Sequence, residues 1–187
     1  MSLALALIAG LALAGASYEA IAARGDAQTF PPPGRLVDVG GYSLHIQCVG
    51  SGSPTVVFDA GLGGTSLDWT LVQAVIGQTT RVCTYDRAGM GRSDNGLAPR
   101  TPAQIAGELH TLLGNAGLAG PYVLVGHSLG GITISAVAEA RRRKLKALVY
   151  LCALLPTSGK TGKDMTSLEP ETMFRLSRQV SPDGLTY

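Results

Sequence analysis

No histidine follows residue 127 in this sequence, and only His45, His110 and His127 are present at all. Charge is also sparse. Charged residues are 15% of the chain and hydrophobic ones 45%, which excludes a disordered or acidic low-complexity protein. The formal net charge is +2 with no basic stripe, so nucleic acid is not an expected partner. The one basic run, Arg141-Arg142-Arg143-Lys144, closes a helical stretch, where cations suit the carboxyl end of the helix dipole. Cofactor fingerprints are missing too. Gly89-Met90-Gly91 has Asp94 where a dinucleotide loop needs its third glycine. Ser158-Gly159-Lys160-Thr161 has Leu154 where a phosphate loop needs a small residue. Neither a metal nor an organic cofactor is implied.

What is present begins with an uncharged run from Leu3 to Ala16. A membrane-spanning helix needs roughly 20 apolar residues, and this run reaches that length only if it continues past Glu19 to Ala23. It lacks the basic start of a signal peptide, although Ala14-Gly15-Ala16 suits a cleavage site. Three readings stand: a membrane anchor, a cleaved signal and a soluble packing helix. The first two put the protein at a membrane or outside the cytoplasm. Residues 1–23 form this segment, and 24–34 form a spacer stiffened by Pro31-Pro32-Pro33. Residues 35–155 read as one core domain, and 156–187 change character to a Gly/Ser/Lys loop with a helix expected near Pro170–Arg178.

Within the core, short β-branched runs alternate with helical patterns, which predicts a mostly parallel sheet covered on both faces. Strands are expected at Leu36–Val39, Tyr42–Val49, Thr55–Phe58, Arg81–Tyr85, Tyr122–Val125 and Lys146–Leu154. The central stretch is Tyr122 to Gly131, YVLVGHSLGG. It reads as strand, sharp turn and helix with Ser128 at the turn. Side chains at Gly126 and Gly130 would collide with neighbouring backbone, so both positions call for glycine. The turn also aims the Leu129 N–H and the helix N-terminus at one point, where negative charge is favoured. A glycine-rich turn with a capping serine is the plainer alternative.

This G-x-S-x-G elbow resembles the α/β-hydrolase family, as does Asp86-Arg87-Ala88-Gly89-Met90-Gly91-Arg92-Ser93, similar to the family's D-x-x-G-x-G-x-S loop. The resemblance covers about Arg35 to Asp164. Leu44-His45-Ile46-Gln47-Cys48 and the anchored, proline-spaced start look like bacterial membrane-anchored members. Leu148 to Pro156 looks like the salicylate-esterase and hydroxynitrile-lyase group. The resemblance implies an α/β-hydrolase fold, Ser128 as nucleophile and a small-molecule ester or acyl substrate. It implies an oxyanion hole made by the backbone N–H groups of Leu129 and Leu62, where Ala60-Gly61 stands in place of the family's frequent His-Gly. A plain glycine turn before a helix is the other reading of that loop. It further implies that Ser93 stabilises its turn and that residues beyond 156 begin a cap.

The same resemblance exposes a gap. The family's order is nucleophile, then acid, then histidine, and here no histidine follows Ser128. His45 is expected on a strand near the sheet edge, His110 on a surface helix and His127 packed behind the elbow. No carboxylate follows strand six at Cys152-Ala153, while Asp164 and Glu169 fall in the cap start. The expectation is a truncated or weakly active serine hydrolase, or one that borrows its base. The runner-up is a catalytically dead binding or interaction domain of the same fold. Cys48 and Cys83 fall on neighbouring strands in the family's sheet order. Two buried free thiols are the default, a bridge in an exported domain the alternative. Cys152 is expected in a buried strand.

Overall fold

The computed structural model describes residues 2–29, 31 and 33–156 and divides the chain into two units, Met1–Arg35 and Leu36–Tyr187. The expected cap, including the helix near Pro170–Arg178, lies outside the described residues. The first unit holds α1, Ser2–Thr29, which contains a 22-residue stretch, Leu5–Asp26, of mean hydropathy 1.7. That stretch is long and apolar enough to cross a membrane. The helix passes Glu19 without a break. It also takes in the first six residues, 24 to 29, of the expected spacer. Ala22, Ala23 and Gln28 are good helix formers, and the proline run starting at Pro31 disfavours helix only in the residues next to it.

The second unit is built on six strands in the order β1-β2-β4-β3-β5-β6. They are β1 Arg35–Asp38, β2 Ser43–Val49, β3 Thr55–Asp59, β4 Val82–Tyr85, β5 Tyr122–His127 and β6 Leu145–Leu151. β4, β3, β5 and β6 run parallel, and β2 pairs antiparallel with β4. Between them lie α2 (Thr70–Ile76, entered by a 3₁₀ turn at Ser66–Trp69), α3 (Pro102–Asn115) and α4 (Gly130–Arg141). The helix ends follow local chemistry. The Thr101 hydroxyl accepts from Gln104 N at 3.2 Å, Pro102 sits at the first turn, and Gly117 takes φ +75° just past the end.

Period-two alternation sends successive strand residues to two separate cores. Val57, Leu124, Cys83 and Tyr85 pack with Leu109 and Leu112 of α3 and with Ile134 and Val137 of α4. Val56, Phe58, Val82 and Val125 pack on the other face against Trp69. The sheet is thus covered on both faces, and the carboxyl ends of β3, β4 and β5 open together along one edge.

Two cysteine expectations change. Cys48 and Cys83 stand directly opposite in the antiparallel β2–β4 register, 4.1 Å apart at Cα, and form a disulfide. Direct opposition between antiparallel strands provides this closeness, which strand adjacency alone did not fix. Cys152 is exposed and free. β6 ends at Leu151, three residues earlier than expected, because Cys152 takes φ +44° and leaves the extended conformation.

Candidate active site

β5 ends at His127, Ser128 follows at φ +51°, and α4 begins at Gly130. A left-handed backbone at a non-glycine residue stores on the order of 1–3 kcal/mol and persists only where the surroundings over-determine it. The surroundings here are tight. A Cβ on Gly126 would come within 2.7 Å of the Gly130 carbonyl, and one on Gly130 within 2.7 Å of the Asp59 carbonyl oxygen. Both glycines are therefore required by close approach. The Ser128 carbonyl accepts from Gly131 N at 3.2 Å and from Leu154 N at 2.9 Å, so the segment leaving β6 returns to hold the turn. The Ser128 residue itself is half-buried.

The loop after β3 lies beside this turn. A Cβ on Gly61 would sit 3.2 Å from Ser128 Cβ and 3.1 Å from His127 Nδ1. Gly61 O accepts from Gly64 N at 3.1 Å, closing a tight turn with Leu62 and Gly63 (φ +71°) at its centre. Leu62 is 52% exposed, so its side chain does not anchor the loop. The anchor comes from below. The buried Arg87 guanidinium donates through Nη1 to Ala60 O at 2.7 Å and to Asp59 Oδ1 at 3.1 Å, and through Nη2 to Gly61 O. Tyr85 Oη donates to the same Asp59 oxygen at 2.9 Å. The other oxygen, Asp59 Oδ2, accepts no well-formed hydrogen bond, although the Thr133 hydroxyl faces the carboxyl from α4. Burial pushes the Asp59 carboxyl above its ordinary range, and the Arg87 charge only partly offsets it. Burial, then the neighbouring Asp59, holds the Tyr85 phenol well above its usual value.

The chain's histidines are spread apart. His45, on β2, is buried, and its Nδ1 lies 3.0 Å from Asp86 Oδ2. Asp86 also accepts from Ser66 N at 2.6 Å and Arg92 N at 3.1 Å. β4 and β3 lie between β2 and β5, so three strand spacings, about 14 Å, separate the His45 strand from the Ser128 strand. His110 is half-buried on α3, and burial first, then Arg141 and Lys144, pulls its pKa down. His127 is exposed rather than packed behind the elbow. Alternation along β5 places it on the same face as Val125, edge-on to Trp69 at 6.3 Å. Ser93 has the turn-stabilising geometry expected of it: its Oγ donates to Asp86 O at 2.6 Å and accepts from His45 N at 2.9 Å.

The strand–turn–helix around Ser128 is legible in the sequence, whereas the Asp59–Arg87 pair beneath the neighbouring loop is not. The only available signal was Arg87 directly after Asp86 in the glycine-rich loop. Nothing in the residue order shows that it turns inward.

Comparison with known proteins agrees with this architecture. The Alpha/beta hydrolase family profile matches residues 56–185. Probable transporter efuK of Hormonema carpetanum is 37% identical over 153 residues, covering 79% of this chain and 22% of that protein. An AB hydrolase superfamily protein of Gibberella zeae is 31% identical over 113 residues, 60% of this chain and 35% of that one. The enol-lactonase structure from Burkholderia xenovorans superposes with a TM-score of 0.57 at 26% identity, over 61% of this chain and 45% of the lactonase. The chain spans less than half the length of each of these relatives. With the profile running from β3 through the elbow and β6, this chain belongs to the alpha/beta hydrolase family.

Proposed function

We propose that this chain carries the nucleophile portion of a serine hydrolase acting on an ester or lactone. Ser128 attacks the acyl carbonyl, and the backbone N–H groups of Leu129 and Leu62 receive the oxyanion. Gly126 and Gly130 permit the close packing that holds the serine at the turn. One observation carries the reading: Ser128 is held at φ +51° between β5 and α4, with glycines required on both sides. Backbone held in this region at a non-glycine residue clusters at functional sites. The enol-lactonase neighbour supports an ester-like substrate, since a lactone is a cyclic ester. The general base is not His45, which is committed to Asp86 on a distant strand. A fluorophosphonate probe tests the assignment. Labelling of the wild type that disappears in Ser128→Ala supports it, and equal labelling of both proteins refutes it.

A second reading, a binding domain of the same fold without turnover, is favoured by the placement of His45, which pairs with Asp86 three strand spacings from the Ser128 strand. A folded protein that no fluorophosphonate labels would select it. For location, we propose that α1 anchors the protein at a membrane or exports it, with the Cys48–Cys83 bridge on the oxidising side. Alkaline carbonate extraction distinguishes the anchor, which stays with the membrane, from a cleaved leader, which releases a shorter soluble chain.

A further inference from the structure

We propose that Arg87 is a positioning residue for the oxyanion loop: it fixes the Gly61–Leu62 peptide so that the Leu62 N–H faces Ser128. The inference rests on the reading of Ser128 as nucleophile and Leu62 as donor. It starts from peptide geometry. In a trans peptide unit the C=O and the following N–H point in opposite directions within one plane. Fixing Gly61 O therefore fixes Leu62 N–H. Gly61 O is held twice, by Arg87 Nη2 and by Gly64 N at 3.1 Å. The Ala60 carbonyl is held by the same guanidinium at 2.7 Å, so two consecutive peptide units share one rigid planar donor. A Cβ at Gly61 would come within 3.2 Å of Ser128 Cβ, so the loop and the serine are close neighbours.

The pairing with Asp59 explains why a cation can be kept here. Arg87 is 8% exposed and Asp59 is 2% exposed. A buried guanidinium needs a compensating charge, and Asp59 Oδ1 supplies it at 3.1 Å. Asp59 Oδ2 lies 3.2 Å from where a Cβ on Gly130 would sit, at the start of α4, where the helix N-terminus favours a negative group. One buried ion pair therefore joins the loop that would supply one donor to the helix start that would supply the other. The two loop carbonyls also take up guanidinium donors that Asp59 Oδ1 alone leaves over, so satisfying the buried cation and holding the loop are one arrangement.

The test uses the full chain and four variants: Arg87→Lys, Leu62→Pro, the double variant and Ser128→Ala. Lysine keeps the charge for Asp59 but cannot hold two carbonyls through a planar fork. Proline deletes the Leu62 N–H at a central turn position that accepts it. Removing one oxyanion donor costs on the order of 10²–10³ in rate. Leu62→Pro should slow fluorophosphonate labelling of Ser128 by about that factor, and Arg87→Lys by roughly tenfold or more. Arg87→Lys should then change labelling less than about twofold in the Leu62→Pro background. Independent, multiplying effects overturn the proposal, as does a loss of labelling that merely follows a loss of thermal stability. The ¹⁵N order parameter of Leu62 provides a second readout that needs no reactive serine. It should fall in Arg87→Lys while that of Leu109 in the core is unchanged. If the wild type is never labelled, the nucleophile reading fails, and an unaltered Leu62 order parameter in Arg87→Lys would then overturn the positioning role on its own.

Discussion

Two corners of the sheet's carboxyl edge hold residue types that hydrolytic sites also use, in different surroundings. At β2 and the end of β4, His45 and Asp86 form a buried histidine–carboxylate pair at 3.0 Å, with the Ser93 hydroxyl held by His45 N and the Asp86 carbonyl. At β5, Ser128 sits half-buried in a strained turn, three strand spacings from the His45 strand. The first corner is closed: Asp86 is saturated by Ser66 N and Arg92 N, and the Cys48–Cys83 bridge ties the same two strands. The second is open, with His127 exposed and Leu62 at the surface. Residue types that suggest catalysis can thus serve packing. Exposure, backbone strain and saturation of partners separate the two uses.

The sharpest way to break this comparison is turnover. The 187-residue chain should hydrolyse p-nitrophenyl acetate orders of magnitude more slowly than a complete triad, because the oxyanion hole and binding alone leave only about 10³–10⁴ over water. Robust turnover lost in Ser128→Ala would place a base in the open corner, and His127→Ala and His45→Ala would then show which one. Next in size, reducing the Cys48–Cys83 bridge releases a link across 35 residues and should lower stability to urea by about 4 kcal/mol. Asp86→Ala should cost about 3–5 kcal/mol by leaving His45 and two backbone donors without their acceptor. If either change slows fluorophosphonate labelling of the still-folded protein more than about tenfold, the corners are coupled and the comparison fails.

Gly126→Ala should behave in the opposite way. The added Cβ meets backbone at 2.7 Å, so the expected stability loss is about 1–3 kcal/mol, while labelling of Ser128 collapses. Labelling at the wild-type rate would show that elbow geometry does not govern reactivity. The smallest effect belongs to a control away from both corners. Glu108 on α3 is pushed up by burial, but Arg100 at 2.5 and 2.7 Å and the Tyr42 hydroxyl at 2.5 Å outweigh this and hold it below its ordinary value. Its contribution to stability is full above the ordinary carboxylate value near 4.5 and is lost as pH falls through the lowered one. The thermal midpoint should therefore fall on acidification less steeply in Glu108→Gln than in the wild type. Parallel curves would remove Glu108 from the account.

The fold was legible because its signals are local. Strand runs, the Thr101 cap and the elbow glycines each act within a few residues of their cause. The bridge is not legible because pairing depends on register, which sets Cys48 opposite Cys83 only once β2 and β4 are aligned. The sequence does not show where His127 faces, because a residue at a strand's end points wherever alternation sends it, here toward Trp69. Arg87 stayed hidden because a charged side chain in a glycine-rich loop gives no sign of facing inward. Its partners, Asp59, Ala60 and Gly61, stand 26 to 28 positions earlier in the chain.

The bond from Leu154 N to Ser128 O bears on how this protein can be recombined with others. The end of β6 at Leu151 looks like a natural junction for grafting a different downstream segment. It is a poor one. Residues 152–156 hang from β6 at one end and from the serine's own carbonyl in the middle. A Cβ on Gly131 would meet Leu154 O at 2.2 Å, so the fit extends into the first turn of α4. A chimera cut after Leu151 discards that clasp and inherits an elbow tuned to a missing neighbour. A cut after Pro156 carries the clasp along and leaves the turn as it was.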